Sequence, residues 1–372
     1  MTKIYLDNAA TSPMAPEVIE AMVLSMQNDF GNPSSTHALG RKSKASIEHC
    51  RKKIAQIFKS KPAEIIFTSG GTFADNLAIF GSIESFGIQR IITSKIEHSA
   101  VKNCIEKLSN IEICYVKHLE DGTIDMNDLH TLIENSTSPT LISIMHINNE
   151  LGIVNDIFTI GEWVKNKTHI FFHSDTVQSI GHKTYDLSTA GIDFITCSAH
   201  KIHGPKGVGF LYINQNSTLK PLFFGGNQER SINPGTEFIA GIIGLTKALE
   251  LAYENLENNE NHIAEIKKYC LEQLQNKIPQ IKIQSPLQIS SNSILNIQLP
   301  SNKQLNTLLF QLDLKNIYVS GGSACSSGSL QGSYVINEIF HKPQNPSIRI
   351  SFSRYTQKSE IDNFVNTLLE IL

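Results

Sequence analysis

The sequence predicts an α/β chain, with a mainly parallel sheet covered by helices on both faces and a smaller α+β unit after it. Three observations carry this. Short apolar, β-rich runs recur along the first two thirds of the chain; stretches of helical length separate most of them; and a polar segment, Glu254 to His262, follows the long helical region that starts near Phe238.

Taken in order, Arg41 to Lys59 places Ile47, Cys50, Ile54, Ile57 and Phe58 at three- and four-residue spacing, which predicts an amphipathic helix with one buried face. The apolar runs Glu64 to Thr68, Arg90 to Thr93, Ile111 to Val116, Leu141 to His146, Ile170 to His173, Asp193 to Cys197 and Gly207 to Ile213 are the expected sheet strands. Beyond the polar segment, strands are expected at Ser293 to Gln298, Asn316 to Ser320 and Ser347 to Phe352, and helices at Lys303 to Leu312 and Gln357 to Leu372. The expected division is a large domain of 15–257 and a small domain made of 1–14 with 258–372.

Composition narrows the function. In 372 residues, 32 Lys and Arg stand against 35 Asp and Glu, a net charge of −3 with no block of one sign, so neither nucleic acid nor an anionic membrane surface is an expected partner. Six scattered cysteines with no C-x-x-C pair fit neither a disulfide framework nor a zinc site; no metal is expected, and a reducing, cytoplasmic setting is. The N-terminus has no apolar core of signal-peptide length, and no stretch reads as a membrane span.

In sheets of this kind ligands sit beyond the carboxyl ends of the strands, so the residues just after each run are the candidates. Thr68-Ser69-Gly70-Gly71-Thr72 leads into a helix and reads as a phosphate cup or as a plain strand-to-helix turn. His98 follows the next strand, as a polar residue near a helix start or as a ring stacker and proton carrier. Asn149 is an amide donor or part of an Asn-rich turn, and Asp175 either caps a helix or favours a protonated ring nitrogen. Ser198-Ala199-His200-Lys201 closes the set with a hydroxyl, an imidazole and an amine ahead of a Gly-Pro turn. A phosphate cup, a stacker, an amide, a carboxylate and a lysine after successive strands describe a site for pyridoxal phosphate, with Lys201 as the amine that takes its aldehyde and Gly235-Thr236 as a further phosphate contact. Cys325 lies in Ser320-Gly321-Gly322-Ser323-Ala324-Cys325-Ser326-Ser327-Gly328-Ser329, a setting of small residues that suits an exposed nucleophile. Of the two arginines near the end, Arg349 and Arg354, the second is the candidate for a substrate carboxylate.

With Tyr5-Leu6-Asp7-Asn8-Ala9-Ala10-Thr11, Gly31-Asn32-Pro33-Ser34-Ser35-Thr36-His37, Ser198-Ala199-His200-Lys201 and Ser323-Ala324-Cys325-Ser326-Ser327-Gly328, the chain resembles the cysteine desulfurases of the NifS/IscS type, within the fold-type I pyridoxal-phosphate enzymes, over nearly its whole length. The resemblance implies that Lys201 holds the cofactor and transfers protons, His98 stacks on the ring, Asp175 pairs with the ring nitrogen, and Gln178 and Asn149 contact the ring oxygen or its surroundings. It implies phosphate contacts from Gly71, Thr72, Ser198 and His200 with Thr236 of a second subunit, and substrate contacts from Arg354 and Asn149. Cys325 then takes sulfur from L-cysteine as a persulfide, releases alanine, and passes the sulfur to an acceptor, an iron–sulfur scaffold or a tRNA-thiolation protein; a homodimer is implied as well. Selenocysteine lyase, another lyase or aminotransferase of the same fold, and a catalytically silent binding subunit are the rival readings. The chain departs from the family pattern at Phe73, where glutamate is usual, and at Ile232-Asn233-Pro234, where arginine is usual; it ends at Leu372, where IscS-type members continue with a scaffold-docking tail.

Overall fold

The computed structural model describes residues 3–300, 304–322, 333–341, 343 and 345–372. β1 (Ile4–Tyr5), α1 (Pro16–Asn28) and α2 (Ala38–Ile57) precede an alternating run. That run is β2 (Ile65–Thr68), α3 (Gly71–Phe86), β3 (Arg90–Thr93), α4 (Ser99–Ile105), β4 (Glu112–Tyr115), α5 (Met126–Glu134), β5 (Thr140–Ser143), α6 (Ile157–Val164), β6 (Ile170–Asp175), β7 (Phe194–Ser198) and β8 (Gly209–Ile213). Then come α7 (Ile239–Glu254), α8 (Leu256–Lys277), β9 (Lys282–Ile283), β10 (Ile294–Gln298), α9 (Leu305–Leu314), β11 (Ile317–Tyr318), α10 (Tyr334–Ile339), β12 (Ser347–Ser351) and α11 (Lys358–Ile371).

The main sheet has the order β2-β8-β7-β6-β5-β3-β4, and only β8 runs against its neighbours. Its central strands are mainly apolar and buried because both faces are covered, whereas the edge strand β4 is partly exposed. Successive residues of β7 and β8 enter different cores: Ile195 and Phe210 pack with α2 residues such as Ile54 on one face, and Phe194 and Leu211 with α3 residues such as Leu77 on the other. The amphipathic face expected in Arg41 to Lys59 is the buried stripe Ile47, Cys50 and Ile54 of α2.

The second core draws on both ends of the chain. Ile4 and Leu6 pack with residues of α8, α9, β10, β12 and α11, and β1 pairs in parallel with β11. A three-stranded antiparallel sheet, β12-β10-β9, forms the rest of that unit. The polar segment Glu254–His262 is mostly helix: Asn255, at φ −123° and ψ 31°, separates α7 from the polar first turns of α8. No helix among the described residues is long and apolar enough to cross a membrane.

Candidate active site

Five parallel strand ends meet the candidate residues. α3 starts directly behind β2, and two glycines make that turn feasible. Gly70 has φ +138°, and a Cβ on Gly71 would come within 2.8 Å of Val177 Cγ2. The helix N-terminus therefore presents its free N–H groups beside Thr72 and Ser198, an arrangement suited to a phosphate.

His98 caps α4, its Nδ1 accepting from Ala100 N at 3.2 Å, and its half-buried ring also lines the cleft; cap and cleft wall are the same residue. Asp175 is the last residue of β6. Its Oδ1 accepts from Val177 N at 2.9 Å, but a turn follows rather than an α-helix, so the carboxylate is not a helix cap.

Lys201 sits in a single 3-10 turn, Ala199–Lys201, behind β7. Its Nζ donates to the carbonyls of Ala9 at 2.5 Å and Ala10 at 2.8 Å. Gln178 Nε2 donates to the same Ala9 carbonyl at 2.9 Å, and Ser12 is tied to His200 O and His203 N, so the N-terminal segment forms one wall.

These groups line a cleft of about 190 Å³, walled by Gly71, Thr72, His98, Asn149, Asp175, Gln178, Ser198, His200 and Lys201. Ala9, Ala10, Asp75, Met145, Val177 and Arg349 complete it, and none of these six stood among the residues read as candidates for the site. Thr236 is exposed and does not line the cleft. Arg354 lines an adjoining cleft that shares Ala9, Gln178 and Lys201, and its guanidinium lies 5.0 Å from the centre of the Tyr355 ring. Arg349 lines the first cleft. It is buried, donating from Nη1 to Asn149 O at 2.7 Å and from Nη2 to Asp7 Oδ1 at 2.9 Å, and its Nε has no partner among the described residues. Cys325 lies outside the described residues.

The electrostatics follow from burial. Burial, and then the charge of Asp75, push the Asp175 carboxyl up to about 6, and His98 pulls against them. Asp75, His98 and Asp175 bring one ligand atom each within 4.8 Å of one another, and Asp75 Oδ1 lies 3.4 Å from His173 Nε2. Burial and then Lys201 and Lys206 bring His200 down to about 4, so at neutral pH it is an uncharged hydrogen-bonding group, 3.1 Å from Thr11 Oγ1.

The residues present fit pyridoxal phosphate. A helix N-terminus with two hydroxyls shares the cleft with a lysine, a buried carboxylate lies at the end of β6, beside the β7 strand that leads to the lysine, and the buried Asn149 Oδ1 has no hydrogen-bond partner among the described residues.

The two family-pattern departures have local explanations. Phe73 stacks on Phe223, with ring centres 5.9 Å apart and planes 14° from parallel; Asn233 donates from Nδ2 to Phe67 O at 2.9 Å. Both side chains bind elements of their own chain beside the cup.

Residues 4–364 match the family model described as aminotransferase class-V. A cysteine desulfurase IscS of Dictyoglomus turgidum is 39% identical over 100% of this chain and 94% of its own length. One of Methanosarcina thermophila is 38% identical over 99% of this chain and 92% of its own length. Among solved structures, a NifS-like protein superposes with a TM-score of 0.91 at 32% identity, covering 100% of this chain and 99% of that one. SspA in complex with cysteine superposes with a TM-score of 0.81 at 31% identity, covering 96% and 100%.

Proposed function

The chain belongs to the aminotransferase class-V family, among its pyridoxal-phosphate-dependent cysteine desulfurases, and from that premise we propose that it removes sulfur from L-cysteine onto Cys325 and hands the persulfide to an acceptor protein. The observation that carries the reading is the single cleft in which Lys201, Asp175, His98 and the α3 N-terminus face one another.

The cofactor, when bound, supplies the electron sink that weakens the substrate's bonds at the α-carbon and β-carbon. The Lys201 amine would hold the cofactor and would accept the α-proton of the substrate and return it. Asp175 holds a proton at the ring nitrogen, a pairing its buried position strengthens, and His98 stacks on the ring and passes protons at its edge. Arg349, whose Nε has no partner among the described residues, and Asn149 hold the substrate carboxylate; Arg354 lines the adjoining cleft beside Lys201. The Cys325 thiolate attacks the substrate sulfur: an S–S bond forms as the C–S bond breaks, the electron pair stays with the substrate, and protonation at the β-carbon gives alanine. One L-cysteine and one thiol thus become one alanine and one persulfide.

A second copy of the chain completes the site in this reading. Thr236 is too exposed to serve its own cleft, and large apolar side chains stand exposed close by: Phe224 at 92%, Phe223 at 61% and Phe238 at 48%, with Phe30 at 71% beyond α1. Sedimentation of the cofactor-loaded protein at the mass of one chain would contradict it. The five described cysteines are all free, in keeping with a reducing cytoplasm, and the acceptor is an iron–sulfur scaffold or a tRNA-thiolation protein.

The deciding experiment is alanine production from L-cysteine by wild type and Cys325→Ser, with persulfide scored by mass spectrometry. Alanine and persulfide in wild type and neither in the variant support the reading. A variant that keeps pace would instead favour a lyase or aminotransferase that does not use the thiol, with selenocysteine as the alternative substrate.

A further inference from the structure

We propose that Glu150 is a positioning residue for sulfur transfer: its buried carboxylate fastens Ser333, one end of the segment that carries Cys325, to the cleft wall that carries Asn149, and lies beside Gly322, the other end. The inference rests on Cys325 being the sulfur nucleophile, and it adds what sets the thiol's starting point.

Glu150 follows Asn149 directly and is fully buried, an expensive place for a carboxylate without a task. The turn that carries it is rigid: Asn148 Oδ1 accepts from the N–H groups of Glu150 at 2.9 Å and Leu151 at 2.8 Å, and Glu150 O accepts from Asn296 Nδ2 at 3.2 Å. Its Oε2 accepts from Ser333 Oγ at 2.5 Å, and the same oxygen lies 3.0 Å from where a Cβ on Gly322 would stand. One carboxylate oxygen therefore binds the Ser333 end and leaves no room for a side chain at the Gly322 end.

Each end is also fastened elsewhere. Before Gly322, Ser320 exchanges backbone hydrogen bonds with Arg349, the arginine of the cleft, at 2.7 and 3.2 Å. After Ser333, α10 begins, with Ser333 Oγ accepting from Ile336 N at 3.1 Å. Tyr334 OH donates to the carbonyl of Glu97, the neighbour of His98, and Val335, Ile336 and Ile339 pack on Ile96, Leu151 and Ile153. Cys325 is the third residue after Gly322, so its Cα can lie no more than roughly 11 Å from that anchor even with the chain extended. Loss of the Glu150 anchor frees the Ser333 end of the segment, whereas the groups around Lys201 and Asp175 stay where their own strands hold them.

The test separates the two halves of the reaction. Exchange of the α-proton of L-alanine with heavy water needs the cofactor and Lys201 but no thiol, whereas alanine formation from L-cysteine needs both. In holoprotein carrying Glu150→Ala, alanine formation should fall about 10- to 100-fold, the scale of misplacing a reacting group by around 1 Å, while α-proton exchange stays within about 2-fold. Glu150→Gln, whose amide oxygen still accepts from Ser333, should recover to within about 3-fold of wild type. Alkylation of Cys325 by iodoacetamide, followed by mass spectrometry on the same samples, should change in rate for the alanine variant and not for the glutamine one. If Glu150→Ala fails to fold, Ser333→Ala carries the same comparison.

Wild-type alanine formation in the alanine variant, or a parallel fall in both reactions, would overturn the proposal, the second outcome marking a general structural role. Failure of the underlying reading looks different: Cys325→Ser would then still make alanine.

Discussion

Arg51 grips Glu229 with both terminal nitrogens, Nη1 to Oε2 at 2.8 Å and Nη2 to Oε1 at 2.6 Å, and both side chains are buried. The pair is joined to β2: Glu229 Oε2 accepts from Phe67 N at 2.7 Å, and Arg51 Nη1 donates to Ile65 O at 2.6 Å. It thus ties α2, the strand leading to the phosphate cup, and the 228–236 loop into one block. The loop is strained there, with Glu229, Arg230 and Ser231 all at positive φ (44°, 58° and 62°), and the ion pair is what holds it.

Removing the carboxylate leaves a buried guanidinium unpaired and releases the strained loop. Glu229→Ala is expected to lower unfolding free energy by about 3–5 kcal/mol, read from urea denaturation. Because β2 and the cup move with the pair, the same variant should also lose pyridoxal phosphate on gel filtration. A change of under about 1 kcal/mol would mean that the pair contributes little beyond an exposed one.

Stability should carry a pH signature from Asp193. Burial lifts this carboxyl from 3.8 to about 6, although Phe172 N and Ser217 Oγ both donate to it. Its folded-state value lies above its unfolded one, so between about 4 and 6 the native state binds more protons than the unfolded chain, and stability falls as pH rises through that window. The buried histidines oppose this. His146, lowered to about 3, and His200 and His203, lowered to about 4, bind fewer protons in the native state and favour folding as pH rises. The contribution is therefore read as a difference. Relative to Asp193→Asn, the wild-type apoprotein should lose up to about 3 kcal/mol between pH 4 and pH 7. A pH-independent difference would show that the Asp193 carboxyl titrates in the folded protein as it does in the unfolded chain.

Most of the sheet was legible because a strand buried on both faces is mainly apolar, as Phe194 to Cys197 is apart from Thr196. The strand-end rule then gathered Gly71, His98, Asn149, Asp175 and Lys201 without knowledge of their contacts. What stayed hidden depended on contacts distant in sequence. β1 is two residues long and exists only because β11, more than 300 positions away, pairs with it. α10 spans six residues, too short for periodicity to reveal, and is held by Ile96 and Leu151 of the large unit. Asp75 sits inside α3, a helix apolar almost all round, so nothing in the pattern distinguishes a residue facing the cleft from one facing solvent. Arg349 and Arg354 raise the same difficulty in sharper form: two arginines five positions apart, of which β12 turns one inward and the following turn leaves the other over Tyr355.

That pair gives the last prediction. Arg349 lines the cleft, is held in place by Asn149 O and Asp7, and has no partner at Nε among the described residues; Arg354 lies in the adjoining cleft with its charge spread over an aromatic face. A charge-assisted hydrogen bond to a substrate carboxylate is worth about 1.5–3 kcal/mol, equivalent to roughly 10- to 150-fold in kcat/KM. Arg349→Lys keeps a charge but loses the planar fork, so kcat/KM for L-cysteine should fall within that range, while Arg354→Gln should cost less than about 5-fold. Arg349→Lys also disturbs the bond to Asn149, so the comparison needs a substrate control. Cysteamine, the same thiol and amine without the carboxylate, gains nothing from Arg349, and its weak turnover should be equal in wild type and the lysine variant. If instead Arg354→Gln is the more damaging of the two, the substrate carboxylate is held in the adjoining cleft beside Lys201, and Arg349 serves only to brace Asn149 and Asp7.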